Sequence, residues 1–423
     1  MSSVEKFENN SSVQKTYEIS NKTLYLAIAL NTVMLCLRGS SLSGLFLFFP
    51  IFLLIFAIGA YFSSDEQAKT NINFMCSSCL IVCGTFFSEG EKGELLQFLT
   101  IVFFIINYKK SDIYEIDKRI NNKVYLLIIF AVSVLSILKI INISSILITL
   151  LLVLNNKYLK ENLKAMFAII TIAGLCGFFL IDDNVSYSNQ IYYHKNLAGY
   201  FVALSFTYFI FLSKNKMFTN VFLILNVFLI LNLRCSTAKL SALFTVGLLI
   251  ISYLNKTKNI KIIAMSTLFL LGSNYILILE VPSLKKTNLV SYSTNAVDRN
   301  ETLTGRTQIW EFAIKEIKDF KILGYSNNFW KNNNSRFSWK CGAGHNILIE
   351  TLIYFGVIGV LLYLILHLFL IQQTSLLSTS LYFTFLICGL TEWAQGFESN
   401  IPIIIAALAL HNNKHEQTNK NNN

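Results

Sequence analysis

The sequence predicts an all-α protein, a polytopic membrane helical bundle of about twelve to fourteen transmembrane helices with one large outer loop carrying an amphipathic helix. Three observations predict this. The 423 residues are 54% hydrophobic and 14% charged, far from the balance of a soluble globular chain. Apolar runs of roughly 14 to 25 residues recur almost from end to end, close to the length a helix needs to cross the hydrocarbon core. Those runs are too long and too unalternating for a barrel, and open strands leave backbone groups without partners in lipid.

Taken in order, residues 1–23 form a polar cytoplasmic tail; it lacks the short apolar core and small-residue cleavage site of a signal peptide and is expected to stay uncleaved. A transmembrane bundle follows over 24–281. Its predicted spans are 24–37, 44–62, 71–87, 95–107, 124–138, 140–154, 164–181, 196–213, 217–233, 240–254 and 262–281. The outer loop covers 282–345. Further spans at 346–370, 377–391 and 401–411 make up the C-terminal helices of 346–411, and 412–423 is a second cytoplasmic tail. Cys76, Cys79 and Cys83 share one helical stripe but have no histidine or acid nearby, so they read as packing residues rather than a soft-metal site.

Lysine and arginine fix the sides, because they concentrate in short cytoplasmic loops. YKKSDIYEIDKR (108–119), NNKYLKENLK (155–164), SKNK (213–216) and NKTKNIK (255–261) are therefore cytoplasmic. Counting spans from these anchors puts IDDNVSYSNQIYYHKN (181–196), LRCSTAK (233–239), the 282–345 loop and TEWAQGFESN (391–400) together on the far side. That side also carries His194, Lys195, Arg234, Lys239, Arg299, Arg306 and Arg336, against the usual bias. Two readings stand: short turns tolerate a lysine and long loops translocate regardless of charge, or these cations converge on a shared anionic ligand.

Within the loop the pattern from Thr307 is helical, with Ile309, Trp310, Ala313, Ile314, Ile317 and Phe320 on one stripe and Glu311, Lys315, Lys318 and Asp319 largely opposite. Such a helix suits a lid over the bundle. Thr304 or Thr307 is the expected cap, which sets Arg306 in or beside the first turn, where free amides and the helix dipole already favour an anion. Arginine's planar fork suits phosphate oxygens, although a solvated arginine fits the local pattern equally. Gly324 is the expected C-cap glycine.

His345 opens the next span. A neutral imidazole can take a proton from a hydroxyl near neutral pH, and it can also serve simply as a polar interface anchor. No HxxxH or Cys/His spacing accompanies it, so no metal is expected. Glu350, one turn further on, is a candidate for orienting the imidazole. Glu392 and Glu398 read as solvated loop acids, and Tyr193, Trp310, Trp330 and Trp339 as interfacial aromatics.

Four blocks in this order resemble the bacterial O-antigen ligase and polymerase superfamily of multi-spanning membrane glycosyltransferases: YYHKNLAGYF (192–201), STAKLSAL (236–243), TLTGRTQIWEFAI (302–314) and GHNILIETLIYFGVIG (344–359). The resemblance covers roughly residues 190–400. It implies transfer of a glycan from an undecaprenyl-diphosphate carrier to a sugar hydroxyl at the periplasmic face of the inner membrane, without a metal or other cofactor. It further implies that His345 deprotonates the acceptor and that Arg306 holds the diphosphate, with Lys239 or Arg234 as second cation. Ala238 stands where that block usually has serine.

His194, Lys195 and Asn196 match an HKN block more typical of polysaccharide polymerases than of ligases. The implied partners are a lipid-linked oligosaccharide, a glycan or lipid A-core acceptor, and membrane lipid; no nucleic-acid partner is expected. Preorganised cations at the leaving diphosphate would stabilise the charge that develops there, and attack from the opposite face would invert the anomeric centre. A ligase using lipid A-core as acceptor is the alternative, and a lipid-linked sugar transporter without catalysis is more distant, because no internal repeat is evident and breakers are few.

Overall fold

The computed structural model describes residues 19–38, 48–86, 98–99, 102–103, 159–179, 195–212, 217–233, 235–254, 272, 306–316, 321–325, 329–333, 346–373 and 376–391. Those residues are helical, with turns between them and no strand. The elements are α1 (Asn21–Arg38), α2 (Phe48–Tyr61), α3 (Glu66–Phe86), α4 (Leu159–Phe179), α5 (Lys195–Leu212), α6 (Met217–Asn232), α7 (Ser236–Leu254), α8 (Arg306–Glu316), α9 (Phe329–Asn333), α10 (Ile347–Gln373) and α11 (Leu376–Thr391). The predicted spans at 124–138, 140–154 and 401–411, and nearly all of those at 95–107 and 262–281, lie outside the described residues. By length and composition Glu161–Phe179 can cross a membrane; Phe48–Tyr61, Ala198–Leu212, Met217–Asn232, Ser236–Ile251, Ile347–Leu361 and Ser380–Gly389 are shorter apolar helices.

α5 is the centre of the bundle. Every residue from Ala198 to Phe209 is buried, as expected of a helix apolar on all sides. It packs against α4, α6, α7 and α11. Contacts along each pair give the chain directions. Tyr208 stacks on Phe167 at 4.5 Å, and Ser205 bonds Thr171 at 2.9 Å, so α4 and α5 are antiparallel. Phe209 stacks on Phe222 at 5.3 Å, while Val202 and Phe206 cluster with Leu229 and Ile230, so α6 is antiparallel to α5 as well.

α7 runs parallel to α5 and antiparallel to α11. Thr207, Thr245 and Thr384 meet at 2.8–3.3 Å, and each also donates to the carbonyl one turn back in its own helix. With one hydrogen per hydroxyl, the three groups share protons between backbone and triad, which lets apolar helices hold polar side chains internally. A second buried set joins Asn226, Thr171 and Ser205 to the Phe167 carbonyl. α1 and α3 meet through sulfur: Met34 Sδ lies 3.5 Å from Cys83 Sγ and 3.8 Å from Cys79 Sγ.

The span predicted as one continuous helix over 346–370 is interrupted. Gly356 has φ 63° and ψ −158°, which breaks the intrahelical ladder inside α10. The freed groups are satisfied by the turn Lys321–Tyr325. Val357 and Ile358 donate their N–H groups to the Lys321 and Ile322 carbonyls at 3.3 Å, and Ile353 accepts from the Tyr325 N–H at 2.7 Å. A break in an apolar helix is tolerable where other protein backbone fills it, as here. Gly324 corrects a second expectation: its φ of 80° is left-handed, but it sits in this turn against the carbonyls of Ile353 and Tyr354 rather than closing a helix. Thr307 is likewise no cap, because α8 begins at Arg306.

Candidate active site

Three of the basic residues singled out in the sequence, Lys195, Lys239 and Arg306, fall at helix starts. Lys195 and Asn196 open α5, Lys239 is in the first turn of α7, Arg306 opens α8, and His345 directly precedes Asn346 and α10. Helix starts present free amides and the positive end of the dipole, which adds to any cation placed there. Lys239 is exposed. His194, Arg234 and His345 lie outside the described residues, and for Lys195, Asn196 and Arg306 the description extends to the backbone.

Three of those starts adjoin. Gly199, one turn into α5, lies so close to α7 that an added Cβ would fall 2.6 Å from Cys235 Cβ and 3.3 Å from Ala238 Cβ. Ala238 stands where the family block usually has serine; here it belongs to a small buried cluster with Ala203 and Cys235. Ser241 Oγ is 3.4 Å from Cys388 Sγ, which brings the α7 start to the α11 end. Ile347, at the start of α10, packs on Gly389 of α11, whose added Cβ would lie 3.2 Å away. The blocks holding Lys195, Lys239 and His345 therefore sit at one end of the bundle. At the opposite end Lys164 of α4 places its Nζ 4.4 Å over the Phe218 ring at the start of α6.

α8 reaches this end through α9 and α10. Ile309, Trp310 and Ala313 are buried, whereas Glu311 and Lys315 are exposed, as the stripe predicted; Ile317 and Phe320 lie outside the described residues. Tyr325 Oη donates to the Glu316 carbonyl, and its ring lies 5.4 Å from Phe329. Trp330, 2% exposed, donates Nε1–H to Glu350 Oε2 at 3.2 Å. Asn346 is fully buried and caps α10, its Oδ1 accepting from Leu348 N at 3.0 Å and Ile349 N at 3.2 Å.

Sequence reasoning missed three of these features. Asn346 as cap was available from the rule that Asn precedes an apolar run. The break at Gly356 had its signal in a glycine within such a run. Trp330 read as an interfacial aromatic, and nothing in the sequence pairs it with Glu350. Among the described residues no group of three or more His, Cys, Asp or Glu is arranged to hold a metal. Glu392, Glu398, Tyr193 and Trp339 lie outside the described residues.

The described elements are all helical, and the starts of α5 and α7, which carry Lys195 and Lys239, meet that of α10 at one end. Residues 196–364 match the family model described as O-antigen ligase. The match over that segment supports the resemblance of its sequence blocks to the O-antigen ligase/polymerase-like superfamily of membrane proteins, and with it an activity of the O-antigen ligase or polymerase type. Comparisons with curated proteins and with solved structures gave no match.

Proposed function

We propose that the chain is a multi-pass polysaccharide polymerase of the bacterial inner membrane, extending a glycan at the periplasmic face. The donor is an undecaprenyl-diphosphate-linked oligosaccharide and the acceptor a sugar hydroxyl on a second lipid-linked glycan. Exposed apolar side chains on α2 (Phe52, Ile55, Phe56) and α7 (Leu243, Ile250) support contact with hydrocarbon. The observation that carries the site is the convergence, inside the family match, of the starts of α5, α7 and α10.

In this reading His345 takes the acceptor proton, and the hydroxyl attacks the anomeric carbon from the face opposite the diphosphate, giving inversion. Arg306 and either Lys239 or Arg234 hold the leaving diphosphate, and the His194–Lys195–Asn196 block binds the carrier or its glycan. Cations already in place replace a divalent ion at the developing charge, so no metal is required. The loop over 282–345, between the membrane segments of 24–281 and 346–411, acts as the lid.

The family description favours a second reading, in which the same site ligates the glycan to lipid A-core. Surface polysaccharide from a strain lacking this chain separates the two. A polymerase deletion leaves core bearing one repeat unit, and a ligase deletion leaves bare core.

A further inference from the structure

We propose that Glu350 is a positioning residue: through Trp330 it bolts the loop segment 321–333 onto the first half of α10, and so fixes where the Arg306 helix sits relative to His345. The inference rests on the glycosyl-transfer reading above. Four observations carry it. Glu350 is 1% exposed, too deep to meet a bulky glycan directly, and its carboxylate accepts the Trp330 indole N–H. Trp330 itself is buried against Phe329, with ring centroids 5.0 Å apart.

The third is the interlock one turn below. Gly324 and Gly356 both have positive φ and face one another across the break. A Cβ on Gly324 would lie 2.6 Å from the Tyr354 carbonyl oxygen, and one on Gly356 would run into the Lys321 and Ile322 carbonyls and the Gly324 amide. Three backbone bonds cross the same seam, from Tyr325 to Ile353, Val357 to Lys321 and Ile358 to Ile322. The fourth is Asn346, which holds the first turn of α10 by its own cap.

Together these tie α8, the 321–325 turn and α9 to the first half of α10. α8, which starts at Arg306, is tied by Tyr325 Oη to the turn, the turn to the break in α10, and Trp330 to the turn of α10 that follows His345. A base and an anion site supplied by separate parts of a long loop need such a frame, since a small misplacement costs rate far more than affinity.

The test uses full-length protein in lipid nanodiscs with undecaprenyl-diphosphate-linked oligosaccharide as donor and acceptor, read by steady-state kinetics and by hydrogen exchange of peptides covering 321–325 and 353–358. Trp330→Phe and Glu350→Ala are expected to lower kcat about 10- to 100-fold with donor KM changed less than about twofold, and to speed exchange in both peptides. Glu350→Gln keeps an acceptor oxygen at the same reach and is expected within about threefold of wild type. If Glu350→Gln is as inactive as Glu350→Ala while Trp330→Phe turns over normally, the carboxylate acts in the chemistry and the positioning role is wrong. Exchange unchanged in both Trp330→Phe and Glu350→Ala also overturns it. Wild-type protein that exchanges slowly at the seam yet never turns over counts against the glycosyl-transfer reading, while the exchange comparison still decides whether the bolt exists.

Discussion

Ser241 Oγ lies 3.4 Å from Cys388 Sγ, which fixes the first turns of α7 to the last turn of α11. Lys239 is two residues before Ser241, and Gly389, on which Ile347 packs, follows Cys388. The two blocks proposed to supply a cation and a base are thereby linked through one short contact and one glycine.

Gly199 is the tightest point of this arrangement. A valine there would drive its β-carbon into Cys235 Sγ and Cβ and against Ala238 Cβ, and turning the thiol aside leaves the clash with the two β-carbons. Gly199→Val is expected to lower stability by about 1–3 kcal/mol. It should also reduce turnover beyond what the stability loss explains, because the starts of α5 and α7 separate. Thermal unfolding in detergent alongside turnover checks both.

Gly356 tests the broken helix. Alanine at φ 63° is strained, and its methyl would collide with the backbone of the docked turn. Gly356→Ala is expected to destabilise by about 1–3 kcal/mol or more. If α10 were one continuous helix, alanine would instead stabilise it by roughly 0.5–1 kcal/mol. The sign of the change in melting temperature therefore decides between the two structures.

Much of the helical order was legible because burial in an apolar bundle follows hydropathy directly. The described parts of α1, α3, α5 and α6 coincide with predicted spans, and the buried stripe of α8 matches its periodicity. The α10 break was not legible, because what stabilises it is backbone from residues some thirty positions earlier, and no local pattern encodes that pairing. For the site, counting spans from the basic loops puts the segments of Lys195, Lys239 and His345 on one side, and the starts of α5, α7 and α10 meet at one end of the bundle. The Trp330–Glu350 bond was hidden for the same reason as the break, since it depends on the tertiary path of the loop.

Lys239 and Arg234 make separable predictions. Lys239 is exposed in the first turn of α7, so Lys239→Ala is expected to leave melting temperature within about a degree while raising donor KM or lowering kcat/KM about tenfold if it is the second diphosphate cation. If Arg234→Ala carries that loss and Lys239→Ala does not, the role passes to Arg234. Kinetics of both variants with the same lipid-linked donor assigns it.

His345 is the centre of the account. Purified wild-type protein in nanodiscs, given undecaprenyl-diphosphate-linked oligosaccharide, is predicted to form longer lipid-linked glycans and release one carrier diphosphate for each bond made. His345→Ala is predicted to lower that rate by about 10²-fold or more with folding intact. Turnover by His345→Ala at the wild-type rate would contradict the account.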